Sequence, residues 1–260
     1  MITSGLIRLE IMRSFAYPKS YLIRNMLPAL IKISAVWILW QAIIESAPSG
    51  IGSLSSEYLR AYSVIAPSLY LLLRPEQAFL MSEIYSGTIT RYFVYPKNFV
   101  WTQLARQIGF SLTRLPEILL IGVFVFFSFD LNLNLASLFF FAVFCLLSFI
   151  LTFLMFMCAE LISMLIEEGW TFSHILDRLI FGFGGLVIPI TLFPSPVQDL
   201  LSLTPFPFVC FVPAQMILND AINGMLIKHF LVGLLYVFLL SFLASYLYKI
   251  GRERYTAYGS

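Results

Sequence analysis

Side chains that commonly carry catalysis or bind metals are few in this sequence. His174 and Asp177 are spaced to share one helix face, which could indicate a metal or proton site, but no second histidine or cysteine joins them. A solvated helix face is therefore the better interpretation of this pair. We expect no catalytic residue, no metal, no cofactor and no enzymatic activity. The cysteines form no metal-binding spacing and are predicted to be free, buried thiols: Cys145, Cys158 and Cys210.

A phosphate-binding loop is also missing from the sequence. The pattern Gly-x-x-x-x-Gly-Lys-Ser/Thr does not occur, and this is the loop whose backbone amides and lysine hold the phosphates of ATP. The chain is therefore not expected to bind or hydrolyse ATP by itself.

Polar and charged residues instead concentrate in residues 82–109, SEIYSGTITRYFVYPKNFVWTQLARQIG, between long apolar stretches. At about 100° per residue, residues 81–92 divide into an apolar face and a polar face that includes Glu83 and Arg91, as in a short amphipathic helix. Pro96 predicts the start of a new helix and a sharp elbow before it. The first helix is too short and polar to cross a bilayer. It could lie on lipid headgroups or dock another protein.

The elements that must position this segment are membrane helices. Hydrophobic residues make up 60% of the 260 residues and charged residues only 12%, about half of the roughly 25% found in soluble domains. This composition predicts one all-α, polytopic membrane domain over residues 1–260, because each crossing needs about 20 apolar residues. Six apolar stretches are predicted to span the membrane: 27–44, 59–73, 110–128, 136–159, 179–193 and 228–248.

Prolines interrupt the second and fifth of these stretches, which are also short for a full crossing of about 30 Å. Each contains or ends at a proline, so kinks or partial re-entry are expected there. Residues 194–227 are apolar but contain five prolines. Since proline breaks a straight helix, we expect this external segment to form short helices at the outer leaflet, or dipping into it.

Basic residues indicate how the chain is oriented. They cluster before the first span, between the second and third spans and after the sixth, whereas the intervening loops are mainly acidic. The positive-inside rule therefore predicts that both termini and residues 74–114 lie in the cytosol. Residues 1–26 contain no signal-peptide core and are expected to form an interfacial helix on the cytosolic side. Snorkelling to the headgroups explains Lys32, about one turn inside the first span.

Several motifs together resemble those of ABC-2-type permeases. The segment between the second and third spans is similar to that of the family, with Glu83, Gly87, Thr88 and Pro96 at the matching positions. The order and spacing of the motifs are similar to the branch that forms paired, six-span permeases. Three further segments carry the similarity: FGFGGLVIPITLFP (181–194), TPFPFVCFVPAQMIL (204–218) and RERYTAYGS (252–260).

This resemblance implies a type V exporter-like fold with six transmembrane helices, an N-terminal interfacial helix and a cytosolic coupling region at residues 75–100. It implies the membrane subunit of an ABC exporter in a prokaryotic cytoplasmic membrane, with a second permease, membrane lipids and a cytosolic ABC ATPase as partners, and no nucleic acid. The ATPase would seat on the coupling helix. The residues assigned to that contact are Glu83, Ile84, Gly87, Thr88, Arg91 and Pro96.

Alternatives stay open for individual residues. Glu83 is expected to face a basic group on the ATPase, but it could be a solvated carboxylate, and Arg91 could equally anchor headgroups. Polar and aromatic residues in the first two spans are candidates for a translocation path between the two permeases, although an interfacial aromatic belt or packing also explains them. These candidates are Trp40, Gln41, Tyr62 and Ser63.

The alternative function is an ion-driven secondary transporter. Such a protein would need carboxylates near the membrane midplane or inverted repeats. No acidic residue lies centrally in a predicted span, and the sequence shows no internal repeat. An ABC permease is therefore the favoured interpretation.

Overall fold

The computed structural model describes residues 2–48, 50–52, 54–76, 79–94, 98–129, 134–166, 169–218 and 225–255. Within these ranges the chain is helical and contains no β-strand, which confirms the predicted all-α class. The first helices are α1 (Ile2–Phe15), α2 (Pro18–Tyr21), α3 (Leu27–Ser46), α4 (Ser56–Leu73), α5 (Phe79–Tyr85), α6 (Arg91–Val94), α7 (Phe99–Leu112) and α8 (Leu115–Ser128). They are followed by α9 (Leu135–Leu161), α10 (Trp170–Phe183), α11 (Ser195–Ser202), α12 (Phe211–Leu218) and α13 (Met225–Arg254). Short turns of other helix types are a π-helix at Leu22–Met26 and 3₁₀-helices at Thr88–Thr90, Ile162–Met164, Ile190–Leu192 and Phe206–Phe208.

Three helical segments of the described chain are long and apolar enough to cross a membrane: α3, Leu135–Met164 and Leu226–Arg254. The pair α7 and α8, bent by 50°, adds a fourth if it forms one broken span. These segments correspond to the predicted first, fourth, sixth and third spans. Their burial differs, since 44% of the most apolar window is buried in Leu135–Met164 but only 11% in Leu226–Arg254. The fold is therefore built around α9, and α13 presents most of its surface outward.

The predicted second span, 59–73, lies within α4, which is not among the segments apolar enough to cross alone. Most of α4 is nevertheless buried inside the protein. A helix surrounded by other helices can carry polar side chains if their hydrogen bonds are satisfied. Ser63 and Ser68 achieve this by donating to backbone carbonyls earlier in α4, at 2.7 and 2.6 Å.

The predicted third span begins earlier than expected and is bent. α7 starts at Phe99, where the Asn98 side chain accepts a hydrogen bond from the Val100 amide at 3.0 Å. It ends at Leu112, and α8 begins with Pro116 in its first turn. Because proline has no amide hydrogen to donate, it favours a new helix start over continuation of the preceding one.

The predicted fifth span, 179–193, is broken, in agreement with the kink or partial re-entry expected there. α10 ends at Phe183, and the chain turns through residues 184–189 before the 3₁₀-helix at Ile190–Leu192. Gly185 has a left-handed φ of +76°, and a Cβ at this position would lie 2.6 Å from Cβ of Phe211. The backbone conformation and the close packing both require glycine here, so the helix cannot continue.

Residues 194–218 form the short helices predicted for this segment, whereas 219–224 lie outside the described residues. α11 and α12 are separated by the 3₁₀-helix at Phe206–Phe208. α12 packs against α9 and α4, and Val209 and Cys210 just before it are fully buried. The segment therefore enters the helical core instead of lying only on its surface.

The predicted N-terminal helix is present within residues 2–26, but it is divided into α1, α2 and a π-helical turn. α1 packs along α7. Gly109 of α7 permits the close approach, because a Cβ there would lie 2.9 Å from Cβ of Glu10 and 3.1 Å from Cα of Ile7. The N-terminal helix is thus attached to the bent third span.

Candidate functional site

The insert, residues 79–94, is not the continuous helix predicted for 81–92. α5 ends at Tyr85, and Gly87 takes a left-handed φ of +74°. This conformation costs other residues about 1–2 kcal/mol. The 3₁₀-helix at Thr88–Thr90 and the single turn of α6 follow. Gly87 therefore divides the insert into two short arms, which a helical projection cannot reveal because it assumes an unbroken helix.

The apolar side of the insert is anchored in the core. Ile84 and Ile89 are fully buried, and Phe99 at the start of α7 is 4% exposed. All three belong to a hydrophobic cluster that includes side chains of α9 and α13. The insert is therefore packed directly against two of the helices that are long and apolar enough to cross a membrane. Their buried contributions to this cluster are Phe153, Leu154, Met157, Cys158, Leu161 and Ala244.

Aromatic contacts strengthen the attachment to α13 and the residue that follows it. The rings of Phe99 and Tyr248 stack with centroids 4.1 Å apart and planes 4° from parallel. Phe93 meets Tyr255 edge-on at 6.0 Å. The Tyr255 hydroxyl donates to the carbonyl oxygen of Ile84, and burial raises the pKa of this tyrosine. Displacing the insert would therefore displace the end of α13 as well.

Glu83 lies inside the protein, so its predicted position on an exposed polar face is wrong. Its side chain is 6% exposed. Oε1 accepts hydrogen bonds from Arg106 Nη1 at 3.0 Å and from the Tyr92 hydroxyl at 3.3 Å, and it also contacts the Arg91 guanidinium. A buried carboxylate requires such counter-charges. Glu83 is therefore already paired within its own chain.

Arg106 extends these contacts to the N-terminal helix. Its Nε donates to Oε1 of Glu10 at 3.3 Å, and Glu10 is 4% exposed. Arg13 lies 3.6 Å from Glu10 and 3.8 Å from Glu76. Burial raises the pKa of Glu76, and the positive charge of Arg13 opposes this shift. We use the term ion-pair network for Glu10, Glu83, Arg91 and Arg106.

The outer face of the insert consists of hydroxyl groups, one arginine and one exposed valine, Val94. The Thr88 hydroxyl lies 3.0 Å from that of Ser86, and the Thr90 hydroxyl donates to the Gly87 carbonyl oxygen at 2.8 Å. A Cβ at Gly87 would meet nothing within 4 Å, so the space beside the turn is open. This face can offer hydrogen bonds and one positive charge to a partner. The exposed residues of the insert are Ser82, Ser86, Thr88, Thr90, Arg91 and Val94.

The predicted contact residues therefore separate into two groups. Glu83 and Ile84 point inward, whereas Thr88 and Arg91 are exposed and Gly87 forms the turn between them. Pro96 lies outside the described residues. The motifs and the helical spacing do not predict the two buried partners in the network, Glu10 and Arg106. The sequence does contain a feature that could have identified both residues. Each is a charged residue within a largely apolar helical stretch and therefore needs an opposite charge nearby.

The candidates for a translocation path are largely buried within the chain. Trp40 is 3% exposed, and its indole donates to a carbonyl of the turn after α10 at 2.8 Å. Tyr62 is fully buried and donates to the carbonyl of Gly185. Ser63 is also fully buried, and Gln41 is half-buried. Trp40 and Tyr62 hold α3 and α4 against the break after α10, and the assignment of all four residues to a path stays a prediction.

His174 and Asp177 have separate surroundings. The Asp177 carboxylate pairs with Arg74 Nη2 at 2.9 Å and accepts a hydrogen bond from the Tyr70 hydroxyl. His174 is exposed and meets the ring of Trp170 edge-on at 5.3 Å. Asp177 thus joins α10 to the end of α4.

Comparison with known proteins agrees with the motif resemblance. Residues 30–259 match the family model described as ABC-2 family transporter protein. The match includes the insert, the short helices after α10 and the C-terminal helix. The comparison with curated proteins finds no match.

Proposed function

The chain belongs to the ABC-2 family of transporter proteins, and we propose that it is the membrane subunit of an ABC exporter. As a member of this family it is a membrane permease of an ABC transporter. The proposed direction is outward, and the proposed energy source is ATP hydrolysed by a separate cytosolic ATPase. The lack of a phosphate-binding loop in the sequence supports a separate ATPase. Family membership does not favour an ion-driven transporter.

The observation that carries the proposal is the double attachment of the insert. Ile84 and Ile89 pack it against α9 and α13, while Glu83 joins it to α7 through Arg106. Its outer face remains exposed. A force applied by an ATPase to that face would therefore be passed to several membrane helices together, as a lever that turns nucleotide-driven closure into helix movement.

In this mechanism the residues of the insert have different tasks. Thr88, Thr90 and Arg91 on the outer face would contact the ATPase. Gly87 would allow a close backbone approach, since the space beside it is open. Glu83 and Ile84 would act as positioning residues that keep the insert rigid.

The proposed arrangement in the membrane has six crossings, with both termini and the insert in the cytosol. α4 would be the second crossing, since its burial among other helices explains its polar content. α10 with the turn after it would provide the fifth, broken crossing, and residues 194–227 would lie towards the outer side. Two permeases would form the transport path between them, in a prokaryotic cytoplasmic membrane.

Site-directed cross-linking tests the insert as the ATPase contact. The permease is purified with the ABC ATPase that accompanies it, carrying either Thr90→Cys or the control Ser202→Cys. Both positions are exposed, but the control lies at the predicted external end. The native cysteines are buried or half-buried, so a thiol-reactive cross-linker should react mainly at the introduced residue.

We expect Thr90→Cys to form a covalent product with the ATPase, and the yield to change when ATP is added. Ser202→Cys should form none. A product from Ser202→Cys and none from Thr90→Cys would overturn the assignment of the contact. Purification without any ATPase would overturn the exporter proposal itself.

A further inference from the structure

A cavity of about 900 Å³ lies between α1, α3, α4 and α10. Its volume is within the range of roughly 300–1,000 Å³ that is typical of ligand pockets. Arg74 and Glu76, in the predicted cytosolic loop after α4, border it at one end. Leu39 of α3 and Val187 border it further into the protein. The cavity therefore extends from the predicted headgroup level into the depth of the membrane.

Basic side chains outnumber acidic ones around the cavity. Lys32 and Arg178 border it, and neither has a carboxylate within 4.0 Å among the described residues. The Lys32 ammonium interacts electrostatically with three cations, Arg74, Arg114 and Arg178, and with one carboxylate, Asp177. Like charges destabilise one another at short range. A negatively charged ligand in the cavity would therefore stabilise the basic side chains that border it.

The two arginines beneath the cavity also retain unused hydrogen-bond donors. Arg74 is 13% exposed and pairs with Asp177, yet its Nε is buried without a partner among the described residues. Arg114 donates to the carbonyl of Leu71, and its Nε is likewise buried and unpartnered there. An unmade hydrogen bond of a buried charged group is destabilising. Because these Nε atoms have almost no accessible surface, an anion in the cavity would meet the positive charge of the two guanidinium groups that border it, not these particular donors.

The acidic residues near the cavity are already engaged. Asp177 is bound by Arg74 and Tyr70. Glu10 and Glu76 are paired with Arg13. Glu117, near Arg114, is bound by the Tyr21 hydroxyl. Because these carboxylates already have partners, they do not neutralise the remaining cations at the cavity.

The deeper half of the cavity is apolar. Val36 and Leu39 border it on α3, Phe181 on α10, and Leu186 and Val187 on the turn after α10. Leu39 lies seven residues beyond Lys32 in α3, which is about 10 Å along a helix. The cavity therefore has a cationic end and an apolar end separated by a distance suited to a headgroup and the first part of a chain.

We propose that this cavity binds an anionic amphiphile, with its phosphate-type headgroup held by Lys32, Arg74, Arg114 and Arg178 and its apolar chain along α3. Headgroup anchoring alone does not explain the arrangement, because Arg74 and Arg114 are largely buried instead of reaching outward. As a loading site for the exported molecule, the cavity rests on the proposed function. Binding itself requires neither ATP nor an ATPase.

The test measures binding to the purified full chain in an uncharged detergent. The probes are fluorescent phosphatidic acid, phosphatidylcholine with the same chains, and inorganic phosphate as a competitor. The cavity variant is Lys32→Gln with Arg178→Gln, since neither residue has an ion pair that would be broken among the described residues. The matched control is Arg60→Gln with Lys228→Gln, because both side chains are exposed and lie away from the cavity lining.

We expect phosphatidic acid to bind the natural chain at least about tenfold more tightly than phosphatidylcholine, because phosphatidic acid is a net anion whereas the choline cation balances the phosphate of phosphatidylcholine. The cavity variant should lose at least about tenfold in affinity for phosphatidic acid, and the control less than about twofold. Equal losses in both variants, or no loss in the cavity variant, would overturn the proposal. Displacement by inorganic phosphate at the same concentration as by lipid would overturn the role of the apolar end. Tight binding by a chain that contacts no ATPase would support this site and overturn only the proposed function.

Discussion

The insert and the cavity both gather charged side chains beside α1, but they balance these charges differently. In the ion-pair network, two carboxylates face two guanidinium groups, with Arg106 at 3.0 Å from Glu83 and 3.3 Å from Glu10. At the cavity, Lys32 and Arg178 have no ion pair within the described chain. A balanced, buried set of charges can fix how elements meet. An unbalanced set beside open space is suited to a ligand of opposite charge.

The largest effect on stability is expected from Glu83→Gln, which removes one carboxylate from the ion-pair network. Arg106 is 12% exposed and would lose one of its two carboxylate partners. Removing one member of a buried ion pair typically costs 3–5 kcal/mol. Since Glu10 remains, we expect about 3 kcal/mol less stability, measured by denaturant or thermal unfolding of the purified chain.

The control for this change is Glu45→Gln, because Glu45 is exposed and has no ion pair among the described residues. It should alter stability by less than about 0.5 kcal/mol. If Glu83→Gln were as mild as the control, the network would not hold the insert, and Glu83 would be free to face the ATPase directly.

A smaller loss is expected from Gly109→Ala, which separates α1 from α7. The new Cβ would lie 2.9 Å from Cβ of Glu10 and 3.1 Å from the backbone of Ile7, so α1 must shift. Overpacking of this kind costs about 1–3 kcal/mol. It should also weaken the Glu10–Arg106 pair and expose α1 to limited proteolysis.

Gly122→Ala provides the matched control, because a Cβ at Gly122 in α8 meets nothing within 4 Å. Alanine is the better helix former by about 1 kcal/mol, so stability should stay constant or rise. Equal losses at both glycines would show that the close approach of α1 and α7 does not stabilise the fold.

The sequence predicts the apolar helices well because their signal is local. The stretches 27–44, 136–159 and 228–248 coincide with α3, α9 and α13, where long apolar runs and helix length agree. A kink in the fifth span is expected from its prolines, but the break lies at Gly185, which meets Phe211, a residue far away in the sequence. Such contacts leave no periodic signal.

The candidate site shows the same division between local and distant information. The apolar positions of the insert, Ile84 and Ile89, follow from helical spacing and are buried as a helical projection predicts. Glu83 was misplaced because its partner Arg106 lies 23 residues away. A projection separates polar from apolar residues, but it cannot distinguish a solvated charge from a buried charge with a distant counter-ion.

The smallest effect, and the one that most sharpens the comparison, is expected from Lys32→Gln. Lys32 borders the cavity with no ion pair in the described chain, and nearby cations repel it. Neutralising it should therefore leave the free energy of unfolding within about 0.5 kcal/mol of its original value or raise it slightly. A loss comparable to that of Glu83→Gln would mean that Lys32 is part of a second balanced network. Unchanged stability together with weaker anion binding would separate the two kinds of charge cluster, since a charge that holds the fold together cannot be removed without a loss of stability.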